Sequence, residues 1–186
     1  MLRVVAFALL LAPGATAEVL SHETPGNLEV LHELNCLALD ELKNEYSPAD
    51  LVGGMVQCYR SGQDDRAVDL YIVSQLRAAF DTRRVLDKSA HGAGVVLLMN
   101  AAEAEGPEFE KRISAAFEKV GGTGSERHLK ICAQMGAYGA PTHSPNYMVQ
   151  HGVKAFSDAP EEALAEDFDP DLVWAELLRD YMKCAG

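Results

Sequence analysis

The chain has 186 residues, 28 acidic and 16 basic, and its net charge of −12 argues against nucleic-acid binding, since phosphate backbones are bound through surplus lysine and arginine. The same charge disfavours binding to an anionic membrane surface. A hydrophobic content of 48 % indicates a globular domain and excludes a disordered or fibrous chain. We expect a protein partner, and a basic surface would suit this charge.

The N-terminus has the three parts of a secretory signal peptide. Arg3 supplies a short positive region, residues 4–12 an apolar run, and Ala15-Thr16-Ala17 the small-residue pattern that precedes cleavage. The apolar run is about half the roughly 20 residues needed to span a bilayer, and no later stretch is long enough, so no membrane anchor is expected. We therefore expect residues 1–17 to be a signal peptide, residues 18–186 a single exported domain, and the periplasm its location.

Helix signals dominate the chain, whereas strand alternation and the Asn-Gly or Asp-Gly pairs of tight hairpins are absent. The first helix is predicted over Asn27–Tyr46, where leucines recur at helical spacing on one face. The second is predicted over Pro48–Arg60, since Ser47 offers a helix cap and proline suits the first helical position. Residues Ala67–Phe80 are apolar around most of the circumference, which predicts a central, buried third helix.

The segment Gly92–Ala104 contains adjacent valines and would suit a buried strand, but no partner strand is found, so a buried fourth helix is predicted. No linker divides the chain into two parts. The expected fold is therefore all-α, a single-domain helical bundle or hairpin array of about eight helices. The remaining helices are predicted over Pro107–Val120, Glu126–Ala137, Ser144–Phe156 and from Asp169 onward, the last with Trp174, Leu177, Leu178 and Tyr181 as its buried stripe.

One part of the chain, Leu51 to Leu76, resembles a helical hairpin of the tetratricopeptide or Sel1-like repeats. Gly62 lies at the turn, Ala67 follows five residues later, and Tyr71 four residues after that. No second copy follows at a period near 34 residues. The resemblance implies helical-hairpin packing and no particular function.

The four cysteines favour two disulfides, because disulfides form and persist after export. If the first two helices form an antiparallel hairpin, Cys36 and Cys58 lie at the same height, and helix axes about 8–10 Å apart bring their Cα atoms near disulfide range. Cys132 and Cys184 then pair by elimination. Four free buried thiols are the alternative, and metal binding is disfavoured because the chain has no Cys-x-x-Cys motif.

No catalytic, cofactor or metal residue is assigned from the sequence. His32-Glu33 and His22-Glu23 both lack the second histidine of a zinc motif, and no serine stands in the strained Gly-x-Ser-x-Gly turn of hydrolases. The acidic run at 167–171 lacks the glycine and the final glutamate of a calcium loop.

A basic cluster is the first candidate binding site. Arg83 and Arg84, with Arg77 and Lys88 nearby, offer guanidinium groups that can bind a carboxylate or a phosphate. The plainer interpretation is a set of internal ion pairs with Asp81 and Asp87, which would join the third and fourth helices.

A histidine and tyrosine cluster is the second candidate. His143, Tyr147 and His151 lie in a segment dense in polar side chains, and Tyr147 and His151 are four residues apart, on one face of the predicted helix. This cluster predicts either a hydrogen-bonded core network or a binding or catalytic site.

An acidic loop is the third candidate. It separates two predicted helices, where a solvated loop can present carboxylates to a basic partner and steer its approach. A soluble acidic face is the alternative. The candidate contact residues are Glu161, Glu162, Glu166 and Asp167.

Export, two disulfides, strong acidity and no catalytic motif together favour a protein that binds another macromolecule. In design the chain is similar to the immunity proteins that Gram-negative bacteria keep in the periplasm against secreted antibacterial effectors, such as phospholipases or cell-wall hydrolases. That similarity implies an inhibitor. The alternatives are a small periplasmic enzyme that uses His143, Tyr147 and His151, and a helical adaptor for envelope assembly.

Overall fold

A computed structural model describes residues 23–156 and 163–184 of the chain. Within these ranges the fold is all-α, with seven α-helices and no strand beyond one isolated bridge between Val85 and Leu164. The all-α prediction is confirmed, with seven helices where about eight were expected. The helices are α1 (Pro48–Arg60), α2 (Asp64–Arg84), α3 (Ala93–Glu105), α4 (Pro107–Val120), α5 (Glu126–Tyr138), α6 (Asn146–Val149) and α7 (Pro170–Glu176).

Short helical turns complete the architecture. They are 3-10 turns at Leu39–Glu41, Lys88–Gly92 and Val153–Phe156, and a π-helical turn at Leu177–Tyr181 that continues α7. The predicted signal peptide, residues 1–17, lies outside the described residues. Every helix in the described ranges is too short or too polar to span a bilayer.

The start of α1 is determined by local hydrogen bonds. The Ser47 hydroxyl accepts from the backbone N–H of Asp50 at 3.2 Å, and the Asp50 carboxylate accepts from the backbone N–H of Ser47 at 2.8 Å. This reciprocal pair is a capping box, and Pro48 occupies the first helical turn, where its missing N–H costs nothing. The predicted bounds Pro48–Arg60 are confirmed.

Helix α2 is the centre of the core, as the sequence predicts. It forms a hairpin with α1 around Gly62, whose φ of 73° is a conformation that glycine adopts without strain. It also packs against α3, α4 and α7. Its completely buried apolar side chains are Ala67, Val68, Leu70, Val73, Leu76 and Phe80.

The prediction of a helix over Asn27–Tyr46 is wrong. Only a 3-10 turn at Leu39–Glu41 interrupts an otherwise irregular course. The physical reason is that the backbone finds partners elsewhere: Leu28 donates its N–H to the Tyr147 carbonyl at 3.1 Å, and Leu31 donates to the Asp50 carboxylate at 2.8 Å. Tertiary hydrogen bonds therefore replace the helical ones.

Both predicted disulfides are confirmed. Cys36–Cys58 has a Cα separation of 4.4 Å and Cys132–Cys184 one of 5.6 Å. The geometric argument for the first pair is wrong, because Cys36 lies in the irregular segment and not in a helix antiparallel to α1. The second bond attaches the C-terminal residues to α5.

Helix α3 forms where the ambiguous apolar segment lies, but the prediction that it is buried is correct for only one of its faces. Its inner face lies so close to α2 that a Cβ added at Gly94 would be 2.7 Å from the Cβ of Ala78. Its outer face exposes 56 % of Val95 and 62 % of Met99. The apolar outer face has no covering helix among the described residues.

The prediction for the C-terminal helix is correct in part. Asp169 caps α7 by accepting the N–H of Leu172 at 3.0 Å, and Trp174 and Leu177 are buried as expected. Tyr181, however, lies in the π-helical turn and is 53 % exposed, so it does not belong to the buried stripe. The wider helical turn rotates this residue out of register with the α-helical face.

Candidate functional site

The histidine and tyrosine candidates meet at a carboxylate that the sequence analysis had placed in the basic cluster. Asp81, near the end of α2, accepts from the His143 ring Nε2 at 2.9 Å and from the Tyr147 hydroxyl at 2.9 Å. Arg84 donates its Nε to the same carboxylate at 2.9 Å and a terminal nitrogen to the His143 carbonyl at 2.8 Å. We name Asp81, Arg84, His143 and Tyr147 the Asp81 network.

Three of the four residues of the Asp81 network are buried, with Asp81 completely buried, Tyr147 2 % exposed and His143 4 % exposed, and Arg84 is partly exposed. Burial, followed by the negative charge of Asp81, raises the pKa of Tyr147 well above its ordinary value, so its hydroxyl remains a donor. The His143 Nδ1 is buried with no hydrogen-bond partner among the described residues. This geometry corresponds to the core-network interpretation of the cluster.

His151 does not join the network. Helix α6 ends at Val149, so Tyr147 and His151 do not share a helical face, and the predicted helix over Ser144–Phe156 is wrong. The His151 Nδ1 instead contacts the Asn27 side-chain oxygen at 2.9 Å. The chain turns at Gly152, and the missing side chain there lets the backbone lie against the Asp87 carboxylate, with which an added Cβ would collide.

The basic cluster does not converge on one site. Arg77 is 1 % exposed and donates to the backbone carbonyls of Lys43 and Tyr46, which attaches that segment to α2. Burial lowers the pKa of Arg77 to about 10, against the opposing charge of Asp81, so the guanidinium stays protonated at neutral pH. Arg83, by contrast, is exposed.

The expected internal ion pairing is confirmed for Asp81 and Arg84, but the expectation that it joins the third and fourth helices is wrong. Asp81 and Arg84 pair within α2, three residues apart. Asp87 accepts from the hydroxyl of Ser89 and from the backbone N–H of Lys154. Arg84 and Arg77 therefore already use acceptors of this protein.

Asp50 is a second buried carboxylate, and its long-range role was missed. It accepts the backbone N–H groups of Leu31 and His32 at 2.8 and 2.9 Å, and lies 3.0 Å from the His32 Nδ1. Burial alone would raise the pKa of Asp50, but the N–H donors of His32, Ser47 and Leu31 outweigh it, and the pKa lies below its ordinary value. The sequence signal was the capping-box spacing of Ser47 and Asp50.

The acidic loop is described only in part, since Glu161 and Glu162 lie outside the described residues. Glu166 and Asp167 are exposed just before α7. The backbone N–H of Ala165 bonds to the Arg84 carbonyl at 2.8 Å, which attaches this end of the loop to the end of α2.

An apolar groove between α3 and α4 was missed because α3 was expected to be buried. The groove has a volume of about 600 Å³, and Met99 and Phe117 are 62 % and 47 % exposed in its walls. Glu110 and Glu118 are its charged lining residues. We name it the α3–α4 groove; its apolar lining consists of Met55, Tyr71, Leu98, Met99, Ala102, Phe109, Ile113 and Phe117.

A larger polar cleft of about 1040 Å³ lies between the start of α2 and α5. Its central contact is the 2.9 Å ion pair between Arg127 and Asp69. Burial raises the pKa of Asp69 despite the opposing charge of Arg127. The lining has equal numbers of basic and acidic side chains, so its charge favours neither an anion nor a cation as ligand. The basic residues are Arg66, Lys119, Arg127 and Lys130, and the acidic residues are Asp40, Asp65, Asp69 and Glu126.

His128 lies beside the second disulfide, 3.6 Å from the sulfur of Cys132. Its Nδ1 accepts the backbone N–H of Gly124 at 3.1 Å, so Nε2 carries the proton and donates to the Met182 carbonyl at 2.7 Å. Both cysteine sulfurs are bonded to each other. This cluster offers a metal neither a thiolate nor a free ring nitrogen, and it holds the C-terminal residues against α5.

Comparisons of this chain with protein-family models, with curated proteins and with solved structures find no match.

Proposed function

We propose that this protein is an exported helical inhibitor that binds a protein partner, and more specifically an immunity protein that neutralises a secreted antibacterial effector such as a phospholipase or a cell-wall hydrolase. The observation that carries the proposal is the α3–α4 groove. Exposed apolar side chains bordered by polar ones are typical of protein-binding surfaces. Met99 and Phe117 provide such a surface on the outside of the helical core.

The Asp81 network supports a binding protein over the enzyme alternative. His143 and Tyr147 are the residues that an enzyme of this kind would use, and both are sealed inside the protein with their polar atoms directed at Asp81. A general acid or base must come within hydrogen-bond reach of its substrate. The network instead joins the segment around α6 to the end of α2.

The disulfides support an oxidising compartment, because such bonds persist outside the cytosol. With the predicted signal peptide, they favour the periplasm as the location. An inhibitor there must bind quickly, and a net charge of −12 would speed its encounter with a basic partner.

The test is identification of the partner. The full chain is expressed in a Gram-negative host, cross-linked in the cell envelope and purified, and its partner is identified by mass spectrometry. We expect a hydrolase whose activity falls to background when the purified protein is added at a one-to-one ratio. A partner whose activity is unchanged would favour the adaptor, and turnover that His151→Ala abolishes at unchanged stability would favour the enzyme; either result would overturn the proposal.

A further inference from the structure

We infer that the α3–α4 groove binds an amphipathic α-helical segment of the partner whose apolar face is flanked by lysine or arginine. The inference rests on the proposed function and assigns the contact surface and the chemistry of the segment that it accepts.

The shape of the groove suits one helix. Its walls are the neighbouring helices α3 and α4, joined directly at Gly106 and Pro107. On α4 the lining runs from Phe109 to Glu118, which at 1.5 Å per residue is about 14 Å, or between two and three helical turns of a partner. A second groove of about 490 Å³ shares Met99, Ala102 and Glu110 with the first and continues it.

The exposed apolar residues supply the anchor. Met99 projects from α3 and Phe117 from α4, and the Phe117 ring packs edge-on against Tyr71 at a centroid distance of 6.0 Å. Aromatic side chains dominate binding energies at interfaces, and methionine adapts to the shape of its partner. Helices that bind between two helices insert apolar residues at i, i+3, i+4 and i+7 into such a surface.

The charges determine which segment fits. Glu110 and Glu118 line the main groove, Glu103 lines its continuation, and neither groove has a basic lining residue among those described. None of these three carboxylates has a hydrogen bond or an ion pair with another described residue. By contrast, Glu105 in the same helix pair is bound by Arg60. The free carboxylates attract basic flanks and repel an acidic segment.

The same charges disfavour a second copy of this chain as the occupant. In a symmetric dimer across the groove, each of Glu103, Glu110 and Glu118 would approach a surface of identical sign. Like charges brought together across an interface repel each other, which disfavours such a dimer.

The experiment is an NMR titration of the full-length, isotope-labelled protein with a synthetic 18-residue amphipathic helix of leucine and lysine. The matched probe has glutamate in place of every lysine. We expect shifts concentrated on α3 and α4, and an affinity at least tenfold higher for the lysine peptide.

Variants separate the apolar from the electrostatic contribution. Met99→Gln and Phe117→Ser should each weaken binding of the lysine peptide at least fivefold, while Leu129→Gln, at an exposed leucine of α5, leaves it unchanged. Glu110→Gln with Glu118→Gln should also weaken it at least fivefold. The matched pair Glu29→Gln with Glu33→Gln removes the same charge at exposed positions outside both grooves and should change the affinity less than twofold.

Three results would overturn the inference: shifts spread over the whole surface, equal affinity for both peptides, or a dimer in sedimentation analysis that Phe117→Ser dissociates. Failure here is distinct from failure of the proposed function. Full inhibition of the partner by Met99→Gln and Phe117→Ser variants would remove the groove from the interface and leave the inhibitor intact. Localised peptide binding by a protein that inhibits no partner would support the groove as a helix-binding site and overturn the inhibitor function.

Discussion

Asp50 and Asp81 each hold a distant part of the chain in place through a buried charge. Burying a carboxylate costs several kcal/mol unless donors surround it. Asp81 is surrounded by donors from His143, Tyr147 and Arg84, and Asp50 mainly by backbone N–H groups. At the scale of single residues, stability therefore depends on polar groups in the core as well as on apolar packing.

Asp81→Asn should lower the free energy of unfolding by about 3 kcal/mol or more, because it leaves the buried His143 and the partly buried Arg84 without their charged acceptor. Asp171→Asn, at an exposed site, should change it by at most about 0.5 kcal/mol. Urea denaturation followed by circular dichroism gives both values. If Asp81→Asn does not fold, Tyr147→Phe tests the same network with an expected loss of about 1–3 kcal/mol. A loss below about 0.5 kcal/mol for both would show that the network does not stabilise the fold.

The pH dependence of stability should distinguish Asp50 from Asp69. The pKa of Asp50 is lowered in the folded state, so its contribution is present above about pH 4 and is lost as the pH falls through the folded value. The pKa of Asp69 is raised, so the folded state binds the proton more readily and stability falls as the pH rises through that range. We expect Asp50→Asn to flatten the loss of stability between pH 5 and about pH 3, and Asp69→Asn to steepen it.

Urea titrations at several pH values give the free energy of unfolding at each pH, and its slope against pH is compared between the variants and the wild type. The two variants serve as controls for each other, since each removes one carboxylate. Equal slopes in both variants would contradict the assigned directions of the pKa shifts.

Among the elements, the two disulfides differ in their access to solvent. In the first bond Cys58 of α1 is completely buried and only Cys36 is partly exposed, whereas in the second bond Cys132 and Cys184 are both partly exposed. Their bonds connect residues 22 and 52 positions apart, which the chain-entropy model values at about 3 and 4 kcal/mol. The C-terminal bond therefore adds stability but is open to attack by a thiolate.

With increasing dithiothreitol, Cys132–Cys184 should open before Cys36–Cys58, because thiol exchange requires access to a sulfur. Alkylation of released thiols followed by peptide mass mapping gives the order. Full reduction should also lower the melting temperature. Release of Cys36 first, or of both pairs together at every concentration, would contradict the prediction.

The close contact between α3 and α2 leads to a second prediction about the helices. Gly94→Ala should destabilise the protein by about 1–3 kcal/mol, because the new Cβ would lie 2.7 Å from Ala78 in a packed interface. Gly53→Ala in α1 is the matched control: no atom lies within 4 Å of its added Cβ, and alanine should stabilise that helix by up to about 1 kcal/mol. Thermal unfolding compares the two variants. A Gly94→Ala variant more stable than the wild type would contradict the prediction, because it would show that α3 can move away from α2 at no cost in stability.

For the whole molecule, the excess of acidic residues makes association with a basic partner dependent on salt. Charges separated by more than about 8 Å are largely screened at physiological ionic strength. The association rate should therefore fall as salt rises, while the dissociation rate changes less. The measurement is stopped-flow fluorescence with the identified partner at low and physiological salt.

The acidic loop is tested in the same assay. Neutralising Glu161, Glu162, Glu166 and Asp167 together should slow association at low salt and leave dissociation nearly unchanged. Equal association rates for this variant and the wild type would show that the loop is not the steering surface.

Several helix starts could be predicted from the sequence because their causes are local, and the cysteine pairs were predicted correctly although Cys36 lies outside any helix. The starts of α1, α5 and α7 depend on Ser47, Ser125 and Asp169, each of which accepts an N–H three residues later. Four cysteines allow only three pairings. For the candidate site, the sequence placed His143 and Tyr147 in one cluster.

Only the tertiary structure determined what these residues contact. Asp81 lies 62 residues before His143, a separation that no local pattern reveals. The segment 27–46 has leucines at helical spacing, yet its backbone bonds to Asp50 and Tyr147 replace a helix. Likewise, the apolar sequence of α3 could not show that α1, α2 and α4 leave its outer face uncovered, because hydrophobicity favours burial without specifying the element that provides it.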